Sequence, residues 1–239
     1  MEKFFDYFDI RHRQDVMSKP ASEDGPVITL SRLTGCDARL VAEEVVNILN
    51  RKEGVRKWKW IDKDIIHYIA RELNINSERV ESFYRGLGLS DMSEMIMAFS
   101  GGYVSSSRIK KAIRDVILPI CREGYIVLVG RGGVSIAQNI PRSFHARLIA
   151  PFYWRVENVM KKKAVDISKA EEYVLNTDEK RHQLMTTFLE KKVLNIDYLF
   201  DITINRKSFG VEETAGMIVS MYETKTGHLK EAKPLSYPK

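Results

Sequence analysis

Cysteine is nearly absent: the 239 residues hold two, Cys36 and Cys121. Two thiols cannot build the disulfide framework of a small secreted fold, and no cysteine–histidine group has the spacing of a zinc site. A reducing, cytoplasmic setting is the expectation. Long apolar runs are also lacking. No stretch reaches the roughly 18 residues of a membrane-spanning helix, so no membrane partner is expected. The first 14 residues interleave Phe4, Phe5 and Phe8 with Asp6, Asp9 and Arg11, unlike the unbroken apolar core of a signal peptide. The five histidines stand apart from one another and from any nucleophile pattern. No metal ligand set is indicated.

What is present suits one large α/β domain: 44% hydrophobic and 29% charged residues in a chain of this length. The net charge of +6 would favour nucleic acid, anionic surfaces or phosphorylated small molecules. The basic residues are spread along the chain, with only short runs at 56–59 and 161–163. No nucleic-acid recognition motif accompanies them, so nucleic acid is not an expected partner.

Residues 2–17 have helical spacing, and 19–26 (KPASEDGP) read as a linker, so an N-terminal helical arm (1–25) precedes the domain. Its phenylalanines need cover, either on the domain or on a second copy in a homodimer. From Val27 onward, short β-rich runs alternate with amphipathic segments. Strands are predicted at 27–30, 58–61, 125–129, 144–150 and 200–204. Helices are predicted at 38–50, 62–73, 77–84, 91–99, 106–122, 151–163, 168–191 (one or a pair) and 211–222, followed by a flexible tail (223–239). Alternation of this kind implies a mainly parallel sheet covered on both faces, with ligands bound beyond the carboxyl ends of its strands. The residues to watch are therefore Ser31 to Arg39, Asp62-Lys63, Gly130 to Gly133, Ala150-Pro151 and Asn205 to Lys207.

The first of these segments has the strand–turn–helix context of a phosphate-binding loop, but little of its chemistry. Laid on G-x-x-x-x-G-K-[ST], Arg32 and Asp37 fall on the glycines, Ala38 on the lysine and Arg39 on the hydroxyl residue; only the internal Gly35 remains. A Cβ at Asp37 and Ala38 is expected to crowd a phosphate, and the Asp37 carboxylate to repel it. Asp37 also suits a helix N-cap, its side chain taking the first free N–H groups. Arg39 retains a bidentate donor for an anion.

Ser31, Arg32, Gly35 and Arg39 resemble the I-S-R-x-x-G-S-G-G-R opening of the cytidylate-kinase-like family, which itself lacks the loop lysine. Cys36, Asp37 and Ala38 depart from it. Gly130-Arg131 follows a buried strand as the family's Gly-Arg does. Arg155 resembles its first lid arginine, Asp178-x-x-Arg181 its Asp-x-x-Arg, and Asp201-x-x-x-Asn205 its last strand. The resemblance covers about 26–222 and implies a three-layer P-loop kinase fold, with a mainly parallel five-stranded sheet and a helical lid. It further implies ATP and Mg²⁺ as cofactors and phosphoryl transfer to a nucleoside monophosphate such as CMP, or to another small acceptor. On that reading Ser31, Arg32, Gly35, Cys36, Asp37 and Ala38 line the donor phosphates with Arg39. Lys162, on the lid, and Asn205, near the base, complete the ATP side. Arg131, Asp178 and Arg181 hold the acceptor, and Arg155 closes over the transfer. The degenerate loop supports an alternative: a nucleotide-binding protein without turnover, in a regulatory or interaction role.

Overall fold

The computed structural model describes residues 24–52, 57–62, 65–74, 76–78, 106–189 and 195–231. Most of the N-terminal arm lies outside these residues. So do the helix predicted at 91–99 and most of the one at 77–84.

Five short runs pair into one wholly parallel sheet: β1 (Val27–Arg32), β2 (Lys59–Ile61), β3 (Ile126–Val129), β4 (Ser143–Ile149) and β5 (Ile202–Asn205), in the order β2-β3-β1-β4-β5. The central β1 is buried on both faces at Val27 to Leu30, as its unbroken β-rich run requires. Seven α-helices are described: α1 (Ala38–Lys52), α2 (Ile65–Leu73), α3 (Ser106–Glu123), α4 (Gly133–Ile136), α5 (Phe152–Lys163), α6 (Ile167–Thr187) and α7 (Val211–Glu231).

The period-two alternation of the strands divides the core. Ile28, Leu30, Val127, Val129, Phe144, Ala146 and Leu148 meet Val41, Val45, Leu49, Ile218 and Val219 of α1 and α7. The opposite face sends Val27, Ile126 and Leu128 against α2, α3, α4 and Phe188. That face also carries a polar stripe, where the Thr29 hydroxyl meets His145 Nδ1 at 2.7 Å and Ser143 Oγ lies 3.1 Å from Nε2. The helices α5 and α6 pack through a small separate cluster of Val156, Val159, Ala170 and Val174.

Three predicted boundaries shift. The segment predicted as one helix or two from 168 is a single helix, α6, started by Asp166, whose side chain accepts from the Lys169 N–H at 2.9 Å. The last strand starts at Ile202, because Ile196–Leu199 forms a 3₁₀ turn ahead of it. The last helix passes Tyr222 and runs to Glu231, well into the segment expected to be a flexible tail. Lys225 anchors it, with both Asp201 carboxylate oxygens 2.8 Å from its Nζ.

Candidate anion-binding site at the strand ends

Register determines what gathers at the carboxyl edge of the sheet. Leu30 is opposite Val129, where the β1–β3 pairing ends, while β1 runs two residues on to Arg32. The Gly130 N–H donates to the Leu30 carbonyl at 3.1 Å, which sets Gly130-Arg131 beside Arg32. Gly130 has φ of 72°, and a Cβ there would lie 1.7 Å from Arg32 Nη1, so only glycine leaves room for that guanidinium. Two residues on, a Cβ at Gly132 would meet the buried Phe188 ring at 2.5 Å.

Asp62, just past β2, completes this cluster. Its carboxylate is 5% exposed and faces three arginines: Arg39 Nε at 2.7 Å from Oδ2, with Arg131 Nε at 3.5 Å and Arg32 Nη2 at 3.8 Å from Oδ1. Oδ1 accepts no hydrogen bond from the described residues. One buried carboxylate thus stands against three cations. Burial, and then the charge of Arg181, pull the Arg32 pKa down to about 9, with Asp62 opposing. Burial also lowers Arg181, against the raising effect of Asp178. Guanidinium groups held this close to one another have the chemistry to take up an anion.

A second knot ties the loop after β1 to the α5–α6 pair. The Asp178 Oδ1 atom accepts from the Thr34 N–H and from the Thr34 hydroxyl, both at 2.7 Å, while Oδ2 pairs with Arg155 Nη1 at 2.6 Å. Arg155 is 7% exposed and also donates to the carbonyls of Ala150 and Thr34. Arg181 donates to the Thr34 hydroxyl at 3.1 Å and lies 4.0 Å from Asp178. The i, i+3 pair on α6 is therefore the underside of the loop, not a surface ion pair. Arg155 is set as a buried strut between loop and helix rather than as a cation extended over a ligand.

The substituted loop residues divide by direction. Cys36 is fully buried and Ala38 is 5% exposed, both within the core under α1 and α7. Their side chains fill the core, which corrects the expectation that Ala38 would crowd a phosphate. Burial pushes the Cys36 thiol up to about 11, so it is no nucleophile at neutral pH. Asp37 turns outward in a left-handed backbone (φ 55°), and its carboxylate pairs with Lys162 of α5. It stands at the start of α1 as predicted, with the Val41 N–H on its carbonyl, but its carboxylate goes to the lysine and not to the helix amides. Gly35 also has positive φ, lies against the Arg155 backbone, and gives its carbonyl to Asn158 Nδ2 at 3.1 Å.

The structure brings together Arg32, Arg39 and Arg131 on Asp62, with Arg181 beside Arg32, and Thr34, Arg155, Asp178 and Arg181 under the loop. It sets Asn205 apart: its side chain accepts from the Lys207 N–H at 3.0 Å, a local turn. Sequence reasoning named Asp62, Thr34 and Arg206 only by position, within the segments that follow strands, and gave Thr34 and Arg206 no role. Thr34 is 4% exposed and is the loop's link to Asp178. Arg206 is 6% exposed and donates to the carbonyls of Cys36 and Gly210 and to the Thr214 hydroxyl, tying the loop to the start of α7. Arg206 directly follows the last strand, and that position is the one signal that marked it.

A cleft of about 950 Å³ opens from this edge. Arg32, Arg131 and Gly132 line it at the strand ends, with residues 175–182 of α6, Arg147 and Phe200.

The residues fit an anion better than a metal. Arg39 occupies the position where a P-loop has its Mg²⁺-holding hydroxyl, and the carboxylates nearest the loop, Asp37, Asp62 and Asp178, each face a cation. Among the described residues no group of three or more His, Cys, Asp or Glu side chains could hold a metal ion. No described helix is long and apolar enough to cross a membrane.

A model of the cytidylate kinase-like family matches residues 27–208. An uncharacterized protein from Eubacterium ventriosum superposes with a TM-score of 0.58 at 19% identity, over 83% of this chain and 98% of that one. Shikimate kinase from Acinetobacter baumannii, solved in complex with shikimate, has a TM-score of 0.48 at 14% identity, over 84% and 95%. In sequence, a uronate isomerase from Corynebacterium glutamicum is 24% identical over 152 residues, which are 63% of this chain and 29% of that protein. The chain thus spans under a third of the length of that curated relative.

Proposed function

The chain belongs to the cytidylate kinase-like family, with a kinase-like fold, and from that premise we propose that it transfers a phosphoryl group to a small phosphate-bearing acceptor, such as a nucleoside monophosphate. One observation carries this reading: Arg32 and Arg131, with Arg39, converge on the carboxylate of Asp62 at the carboxyl ends of β1 and β3. A dianionic phosphate there would meet guanidinium donors from both segments. The guanidinium forks of Arg32 and Arg131 orient it, and Arg181 adds charge from the α6 side. Catalysis then consists mainly of positioning and charge neutralisation. Bound ATP would supply the transferred group, its phosphates held by loop amides and Arg39. The Thr34 amide must first be released by Asp178. No step is assigned to Mg²⁺, for which the described residues offer no ligand set.

The same contacts favour a second reading, nucleotide binding without turnover. Asp178 on the Thr34 N–H and Asp37 at the start of α1 place carboxylates where donor phosphates would go. Phosphorus NMR of the protein with Mg·ATP and a panel of monophosphates separates the two. Transfer that falls at least ~100-fold in Arg131→Ala supports the enzyme. Binding of both nucleotides with no transfer supports the second reading. No binding of either at millimolar concentration refutes both.

A further inference from the structure

The loop after β1 is fixed through its carbonyls, and each one from Leu33 to Asp37 is taken. Leu33 accepts from the Cys36 N–H at 3.4 Å and Asp37 from the Val41 N–H at 3.3 Å. Between them Thr34 accepts from Arg155 Nη1 at 3.2 Å, Gly35 from Asn158 Nδ2 at 3.1 Å and Cys36 from Arg206 Nε at 3.4 Å. The amides differ. Those of Thr34 and Cys36 are engaged, by Asp178 and Leu33, whereas those of Gly35 and Asp37 donate to nothing among the described residues. In a planar trans peptide the C=O and the following N–H point to opposite sides. The two amides left over are the ones that follow the carbonyls held by arginine, so each is turned away from a guanidinium. Both arginines are buried, Arg155 at 7% and Arg206 at 6% exposure. Arg206 meets only neutral acceptors, the carbonyls of Cys36, Phe209 and Gly210 and the Thr214 hydroxyl. Burying a cation in this way costs desolvation, and what it secures is the backbone at Asp37. A non-glycine residue at φ 55° persists only where its surroundings fix it. Arg206 pins the peptide before Asp37, and the Val41 N–H the one after. Positive φ at Gly35 and Asp37, but not at Cys36, gives the alternation in which amides form a concave anion nest.

We propose that Arg155 and Arg206 are positioning residues of the loop: by holding the Thr34 and Cys36 carbonyls back, they present the Gly35 and Asp37 amides to a donor phosphate. Neither guanidinium touches the ligand. In a glycine-rich loop the backbone is free to turn its amides toward a phosphate. Here two side chains, one from α5 and one from beyond β5, hold it turned, and a loop containing Cys36, Asp37 and Ala38 keeps the shape. The inference rests on the reading of the loop amides as ligands of the donor phosphates.

The test titrates ATP into the full chain and its Arg206→Gln, Arg206→Lys and Arg155→Lys variants, read by calorimetry and by proton–nitrogen NMR of the backbone amides. In the wild type the Gly35 and Asp37 amide protons are expected to move downfield together as ATP saturates. Arg206→Gln is expected to weaken ATP about tenfold, the worth of one hydrogen bond to a charged group. It should abolish the Asp37 response while Gly35 still moves. Cys36 is met by Nε, within a lysine's reach, so Arg206→Lys should recover part of both effects. Thr34 is met by the terminal Nη1, so Arg155→Lys should show the reverse pattern, keeping a charge for Asp178 but losing the Gly35 response. A merely structural arginine would lower Tm and dampen the two amides alike. Thermal melts identify a variant that fails to fold, and the remaining variants carry the same comparison. Loss of both responses together, an Asp37 response that survives Arg206→Gln, or ATP bound by the wild type with neither amide moving overturns the inference and leaves phosphoryl transfer standing. A wild type that binds no ATP at millimolar concentration overturns both.

Discussion

Replacing Asp62 with asparagine removes one charge and little volume. It leaves Arg32, Arg39 and Arg131 facing a neutral amide. At about 3.5 Å and an effective dielectric near 20, each buried contact is worth roughly 5 kcal/mol of attraction before desolvation is counted. The contact with Arg39 counts for less, because that side chain is 54% exposed. Measured costs of removing one partner from a buried ion pair are about 3–5 kcal/mol, and the amide still accepts from Arg39, so a loss of ~3 kcal/mol is expected. For a chain of this size that lowers Tm by roughly 6–12 °C. The informative part is the response to anion. Inorganic phosphate should restore more of the Tm in Asp62→Asn than it adds to the wild type, because it replaces the negative charge that was removed and meets no repelling carboxylate. Saturation at 100 times Kd would return about 2.7 kcal/mol. Differential scanning fluorimetry across a phosphate titration, with chloride as the ionic-strength control, reads both effects. A variant melting within ~2 °C of the wild type, or equal phosphate shifts in the two proteins, would refute the view that Asp62 and a bound phosphate answer to the same arginines.

Three further outcomes follow from the same geometry. Gly130→Ala places a Cβ where Arg32 Nη1 lies, at a φ that disfavours any side chain; phosphate affinity by calorimetry should fall at least ~10-fold, and unchanged affinity would show that Arg32 is not a ligand. Asp37→Gly relieves a left-handed backbone worth about 1 kcal/mol and removes a carboxylate from the start of α1, so ATP should bind several-fold tighter with a raised Tm; weaker binding would place Asp37 among the ligand's own contacts. His145 is buried and neutral, its pKa pulled down to about 4 by burial, with Asp201 opposing. The unfolded chain therefore takes up a proton first, and stability is retained above about pH 6.5 and lost as pH falls toward 4, by roughly 3 kcal/mol in total. Urea melts of His145→Gln should show a flatter decline over that window, and parallel curves would show that His145 is not the group responsible.

The sheet was legible because a buried parallel strand has little freedom of composition. Val27 to Leu30 and Ile126 to Val129 must be apolar on both faces, and the segments between them carry the helical period of a one-sided cover. Placement at strand ends likewise marked Arg32, Arg131 and the loop in advance, since topology alone sends those positions to the carboxyl edge. Side-chain direction was not legible. Cys36, Asp37 and Ala38 are consecutive letters, yet two fill the core and one meets Lys162 across the loop. Which way each turns depends on the φ of 88° at Gly35 and 55° at Asp37, and on helices packed from more than a hundred residues away.

Pairing across the chain was equally hidden. Asp178 and Arg181 read as neighbours on one helix, but the carboxylate's nearest partners are Thr34 and Arg155. Asp62 read as a helix start, and three arginines, from β1, α1 and the turn after β3, make it the centre of the cluster. By itself the sequence determined the parallel sheet, its helical cover and the set of cations at its edge, because periodicity and strand ends are local properties of the chain. Only the tertiary structure decided which carboxylate each cation meets and that Arg32, Arg39 and Arg131 share one, because a charge balance is a property of distances between segments and no local pattern encodes it.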